Sequence, residues 1–154
     1  MTIDVKLNIL ERFEVKASPE DTFRVLSDVP YSVSHYPDVE GLEDEGAGVF
    51  RWSLKKMGTR GFSHRVVYAC RYLNDADKGL VTWNPVNDVG NCVTSGSWKI
   101  SASGEGSSVV FKTDVILSIE VPRMLKSVAA PFARKSFEVQ IARYLKNLRA
   151  TLDG

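Results

Sequence analysis

VPRMLKSVAAPFARKSFEVQIARYLKNLRATL, residues 121–152, closes the chain with one uninterrupted amphipathic segment. Leu125, Val128, Phe132, Ser136, Phe137, Ile141, Tyr144, Leu145, Leu148 and Leu152 recur at the spacing of one helical face. A helix over residues 123–152 would be about 45 Å long at roughly 1.5 Å per residue, enough to cross a sheet. Pro131 falls inside it, and the missing N–H predicts a bend between residues 123–130 and the rest. From Val39 up to this segment the chain alternates in polarity at period two. Many strands followed by one long closing helix predict an α+β architecture: a curved antiparallel sheet of six to seven strands wrapped around the helix, with a pocket between them.

Immediately upstream, Val109, Phe111, Thr113, Val115, Leu117 and Ile119 oppose Lys112, Asp114, Ser118 and Glu120. Before the Ser- and Gly-rich turn at residues 103–108, Thr94, Gly96, Trp98, Ile100 and Ala102 share a face. Residues 80–85 form a shorter strand in which Val81 and Trp83 compete with Leu80, Thr82 and Asn84 for the inner side; Trp83 is placed inward. Farther back, residues 62–72 place Phe62, His64, Val66, Tyr68, Cys70 and Tyr72 together. Residues 49–57 do the same for Phe50, Trp52 and Leu54, with a hairpin turn at residues 58–61.

The chain begins with a strand over residues 8–16, and Ser18-Pro19-Glu20-Asp21 then supplies an N-cap, a first-turn proline and acids for the helix dipole. This predicts a short helix carrying Phe23 and Leu26 inward. Pro30 bounds it, and a second short helical piece over residues 31–35 ends at Pro37.

At 154 residues and 44% hydrophobic content the chain suits a single domain over residues 1–154. Twenty Lys and Arg against 19 Asp and Glu give no basic field for nucleic acid. There is no secretory start and no run of about 18 apolar residues. Cys70 and Cys92 lack any Cys-x-x-Cys spacing, so they are expected as buried small hydrophobes in a cytoplasmic protein. No phosphate-binding loop, dinucleotide fingerprint, nucleophile elbow or His-x-x-x-His pair occurs, so neither metal nor cofactor is expected.

The order of elements resembles the START-like superfamily, also called SRPBCC or the helix-grip fold, which includes polyketide cyclases, lipid-transfer domains and a group associated with carbon monoxide dehydrogenase. The residues that carry the likeness are Val15-Lys16-Ala17-Ser18-Pro19-Glu20-Asp21-Thr22-Phe23, His35-Tyr36-Pro37, Gly96-Ser97-Trp98 and the closing helix. The resemblance implies a cavity between sheet and helix but not its contents.

Inner-face parity assigns to that cavity Trp52, Leu54, His64, Val66, Tyr68, Trp83, Thr94, Trp98, Phe111, Thr113 and Val115. Val128, Phe132, Ser136 and Gln140 are added from the helix. The first reading is binding or transport of a hydrophobic or amphipathic small molecule: a lipid, isoprenoid, polyketide or aromatic compound. A second is a cyclase or dehydratase, a lyase or isomerase in which His64 or Tyr68 moves a proton. A third is an accessory protein docking on a membrane or partner through the basic, apolar-flanked start of the last helix. Inward carboxylates are scarce, since Asp114 and Glu120 fall on the outer face.

Overall fold

The computed structural model describes residues 1–59 and 61–154; of the turn expected at residues 58–61, Arg60 lies outside the described residues. A first strand β1 (Thr2–Val15) is followed by two helices, α1 (Pro19–Ser27) and α2 (Val29–Val33). Then come β2 (Val39–Gly46), β3 (Val49–Leu54), and a small hairpin of β4 (Met57–Thr59) and β5 (Phe62–His64). Four longer strands follow: β6 (Val67–Asp75), β7 (Leu80–Pro85), β8 (Cys92–Ser103) and β9 (Gly106–Glu120). A 3₁₀ turn (Arg123–Leu125) leads into α3 (Lys126–Asp153).

Seven strands form one sheet in the order β1-β9-β8-β7-β6-β3-β2, with every neighbouring pair antiparallel. This is the expected helix-grip arrangement, with the long C-terminal helix on one face of the sheet and the two short helices after the first strand. Among the described residues no helix is long and apolar enough to cross a membrane.

Local chemistry explains each boundary. The Ser18 hydroxyl accepts the Asp21 N–H at 3.1 Å and caps α1, with Pro19 in the first turn. Asp28 repeats the device for α2 by accepting the Tyr31 N–H at 3.2 Å, so Pro30 sits in the first turn of α2 rather than at its boundary. β1 starts at Thr2, not residue 8, because Val5 and Leu7 continue its buried alternation and the ladder to β9 runs unbroken from Thr2↔Glu120 to Val15↔Ser107.

The strand expected over residues 62–72 breaks after His64. The Asn91 side chain takes over the ladder there: its Nδ2 donates to the Arg65 carbonyl at 2.8 Å, and its Oδ1 accepts the Val67 N–H at 3.0 Å. β5 therefore pairs with β4 in a separate hairpin.

α3 runs unbroken through Pro131, but the start of its buried stripe lies one residue beyond the expected one. Ala129 and Ala133 are fully buried while Val128 is 52% exposed. Alanine lets the helix backbone approach closely, and the Arg134 guanidinium donates to the Lys6 carbonyl of β1 at 3.3 Å. The larger Val128 is turned out to solvent.

Candidate functional site

The concave face of the sheet, α2 and α3 enclose a cavity of about 60 Å³. Strands supply Trp52, Tyr68, Tyr72, Trp83, Thr94, Trp98, Phe111, Thr113 and Val115. The short helices and the turn after them add Leu26, Val29, Ser32, Val33 and Tyr36, and α3 adds Phe137, Ile141 and Tyr144. At roughly 10–15 Å³ per water this space holds only a few solvent molecules, well below the ~300–1,000 Å³ of a pocket for a drug-sized ligand. Aromatic rings occupy the remainder. Trp98 and Phe111 lie 4.6 Å apart between centroids, Trp52 stacks on Tyr68 at 5.3 Å, and Trp83 sits about 6 Å from Tyr72, Trp98 and Phe111.

The polar groups of the wall are mostly committed. Trp52 Nε1 donates to Tyr72 Oη at 3.1 Å, the Ser32 and Tyr144 hydroxyls meet at 2.5 Å, and Tyr36 Oη donates to Gln140 Oε1 at 3.4 Å. Thr113 Oγ1 donates to the Ser95 carbonyl at 3.3 Å, so its neighbour Thr94 Oγ1, 3.2 Å away, donates to it and keeps lone pairs for an incoming donor. Tyr68 Oη has no hydrogen-bond partner among the described residues. Burial, reinforced by neighbouring tyrosines, holds the Tyr68 and Tyr36 phenols well above their ordinary range, so both stay protonated. Tyr72 Oη, which accepts from Trp52, keeps its own O–H to give, so the cavity presents phenol donors at Tyr68 and Tyr72 and an acceptor at Thr94 on an otherwise apolar surface.

Eight of the residues assigned by strand parity border this cavity: Trp52, Tyr68, Trp83, Thr94, Trp98, Phe111, Thr113 and Val115. The others do not. Leu54 and Val66 are buried in the core outside its lining, and Val128 faces solvent. Phe132, Ser136 and Gln140 line a separate depression of about 250 Å³ with Met57, Asp38 and Arg143. His64 lies in the β4–β5 hairpin between Phe62 and Phe132, 6.3 and 6.5 Å away between centroids. Its Nδ1 is buried without a partner among the described residues, and burial lowers its pKa. Tyr68 and His64 are thus not brought together at the cavity.

Sequence reasoning missed the wall built by α1, α2 and the turn after α2. Its signal was Tyr36 in the His35-Tyr36-Pro37 motif, which packs 5.0 Å from Tyr144 and 5.5 Å from Trp52 between ring centroids. Tyr144 itself stood on the apolar stripe of the last helix.

A family model described as "Polyketide cyclase / dehydrase and lipid transport" matches residues 7–153. No curated protein is significantly similar in sequence. Among solved structures, the chain resembles the Zhui aromatase/cyclase from Streptomyces sp. R1128, with a TM-score of 0.64 at 16% identity over 96% of this chain and 93% of that one. A conserved protein from Geobacillus kaustophilus gives 0.64 at 14% identity over 95% of each chain. Ginseng major latex-like protein 151 from Panax ginseng gives 0.60 at 14%, over 96% of this chain and 98% of that one. At such identities the likeness is one of fold.

Proposed function

The chain belongs to the polyketide cyclase / dehydrase and lipid transport family, and from that premise we propose that it binds and carries a neutral, ring-bearing, oxygenated small molecule, as one ligand-binding domain. The observation that carries this reading is the composition of the cavity wall: every lining residue is uncharged, and all three tryptophans of the chain are among them. An ionised carboxylate or ammonium placed there would lose its hydration with no partner in return. Flat aromatic walls suit a ring system better than a flexible chain. Tyr68 as donor and Thr94 as acceptor suit a ligand carrying both carbonyl and hydroxyl oxygens, as aromatic and polyketide compounds do. Trp52, Trp83, Trp98, Phe111, Thr113 and Val115 complete its surroundings, and their rings must turn aside to admit it.

Turnover would have to start from Tyr68, which burial keeps protonated. It can donate to a carbonyl oxygen, but the lining contains no carboxylate or imidazole to take a proton from carbon. Binding is the reading the geometry favours.

Native mass spectrometry of the purified protein, with mass analysis of whatever denaturation releases, tests this directly. A stoichiometric, neutral, oxygenated ring compound is expected. In parallel, tryptophan emission should respond to 2-naphthol and not to 2-naphthoate. A released anionic lipid, or an equal response to both probes, would overturn the reading.

A further inference from the structure

Among the described residues, the outer edge of β1 is unpaired along its middle. Met1 and Val121 exchange backbone hydrogen bonds at 2.9 Å in both directions, so Met1 directs its N–H and C=O at the β9 side. In an antiparallel ladder this direction alternates along the strand, and the β1–β9 register has no shift. Odd residues of β1 therefore bond to β9 and even residues point away. Two even residues show it: the Lys6 carbonyl accepts from Arg134, and the Lys16 N–H donates to Asp153 Oδ1 at 2.9 Å. Between these two pins, Asn8, Leu10, Arg12 and Glu14 turn their backbone groups outward. β1 has neither a proline nor a bulge, two of the devices that blunt an exposed edge, and relies on the charged Glu11, Arg12 and Glu14 along this stretch.

Beside this edge runs a groove of about 600 Å³, with Asn8 to Phe13 on one bank and the Glu138–Arg149 side of α3 on the other. Ile141, Ala142 and Leu145 give that bank an apolar stripe. We propose that the groove docks an extended peptide of alternating apolar residues, added as a further strand beyond β1, with an acidic end beside Arg12, Lys146 and Arg149. A hydrocarbon laid there would leave the outward N–H and C=O groups dry and unpaired, whereas a peptide backbone satisfies them and offers alternate side chains to the stripe. From Asn8 to Glu14 the edge spans about 20 Å at roughly 3.3 Å per residue.

The pins also orient the charge. β1 and α3 run in the same direction, so Glu138 lies toward the Asn8 end and the two α3 cations toward Arg12. Arg149 sits 5.4 Å from the centre of the Phe13 ring. Arg12, Lys146 and Arg149 form no ion pair among the described residues, and the acids of the groove are Glu11 and Glu138.

Seven-residue peptides of alternating Val and Thr, with two Asp at either end, are the probe, and ¹⁵N NMR of the whole chain is the readout. The amides of Leu10 and Arg12 should shift, and their solvent exchange should slow by about tenfold or more. Leu10→Pro removes an outward N–H and leaves the ladder to β9 intact, so it should weaken binding by at least about tenfold. Arg149→Glu should weaken binding of the Asp peptides and strengthen that of Lys-ended counterparts, which decides the matter even if Leu10→Pro fails to fold. The proposal is overturned by an absence of shifts at millimolar peptide, or by equal binding to a folded Leu10→Pro chain. Protection of the same amides by self-association would overturn it too, by giving the edge to a second copy.

Discussion

The hydroxyls of Ser32 on α2 and Tyr144 on α3 lie 2.5 Å apart, buried, and join the short helix over the cavity to the long helix beneath it. Around them, the Asn147 side-chain amide donates to the His35 carbonyl at 2.9 Å, and His35 Nε2 meets Thr151 Oγ1 at 2.8 Å. α2 and the turn after it are thus latched to α3 beside the cavity. Tyr144→Phe leaves the Ser32 hydroxyl buried without its partner and should cost about 1–3 kcal/mol in denaturant unfolding. It should also speed release of 2-naphthol in stopped-flow tryptophan emission. Adding Ser32→Ala removes both polar groups and should recover most of the stability but none of the slow release.

Tyr68 offers the cavity a hydroxyl that makes no hydrogen bond among the described residues. Tyr68→Phe should weaken binding of fluorenone by about 5–10-fold, the worth of one hydrogen bond of ~1 kcal/mol. The hydrocarbon fluorene, which has no acceptor, should bind unchanged. Equal losses for both, measured by fluorescence titration, would remove Tyr68 as an anchor.

Gly96 sets the position of Trp83. A methyl group built there would overlap the Lys112 carbonyl oxygen and lie 2.5 Å from the Trp83 ring. The carbonyl belongs to β9 and cannot retreat, so Gly96→Ala should destabilise the fold by about 1–3 kcal/mol and displace the indole. Near-ultraviolet circular dichroism should change with it, and 2-naphthol affinity should fall.

His64 makes the fold acid-sensitive. Burial lowers its folded pKa below the ordinary ~6.5 of an unfolded chain, so the unfolded state binds more protons as pH falls through that value. The stability it confers is complete above the unfolded value and is lost as pH falls through the lower folded one. His64→Leu should flatten this part of the Tm profile; an unchanged slope would move the acid sensitivity elsewhere.

Strand parity made most of the sheet's inner face legible in advance, because alternation every two residues holds wherever the ladder holds. It placed Trp52, Trp98, Phe111 and Thr113 on the inner side without any tertiary information. It could not show that the strand breaks at residues 65 and 66, where Val66 keeps a backbone bond from Leu54 while Arg65 and Val67 bond to Asn91, in a turn more than twenty residues downstream. Nor could helical periodicity choose between Val128 with Phe132 and Ala129 with Ala133. Both pairs have the right spacing, and only the clearance from β1 separates them. The degree to which rings fill the cavity depends on the curvature of the whole sheet.

The pairing of β1 with β9 imposes an order on events during synthesis. Thr2 has its ladder partner at Glu120, so the first strand made has nothing to join until nearly the whole sheet has emerged. At roughly 5–20 residues per second that wait lasts about 6–24 s, far longer than hairpins such as β8–β9 need once both strands are available. An apolar strand carrying Val5, Leu7, Phe13 and Val15 therefore spends its first seconds without a partner. Mutations that slow closure of β9 should then first reduce the yield of soluble protein, even where the finished fold is scarcely weakened.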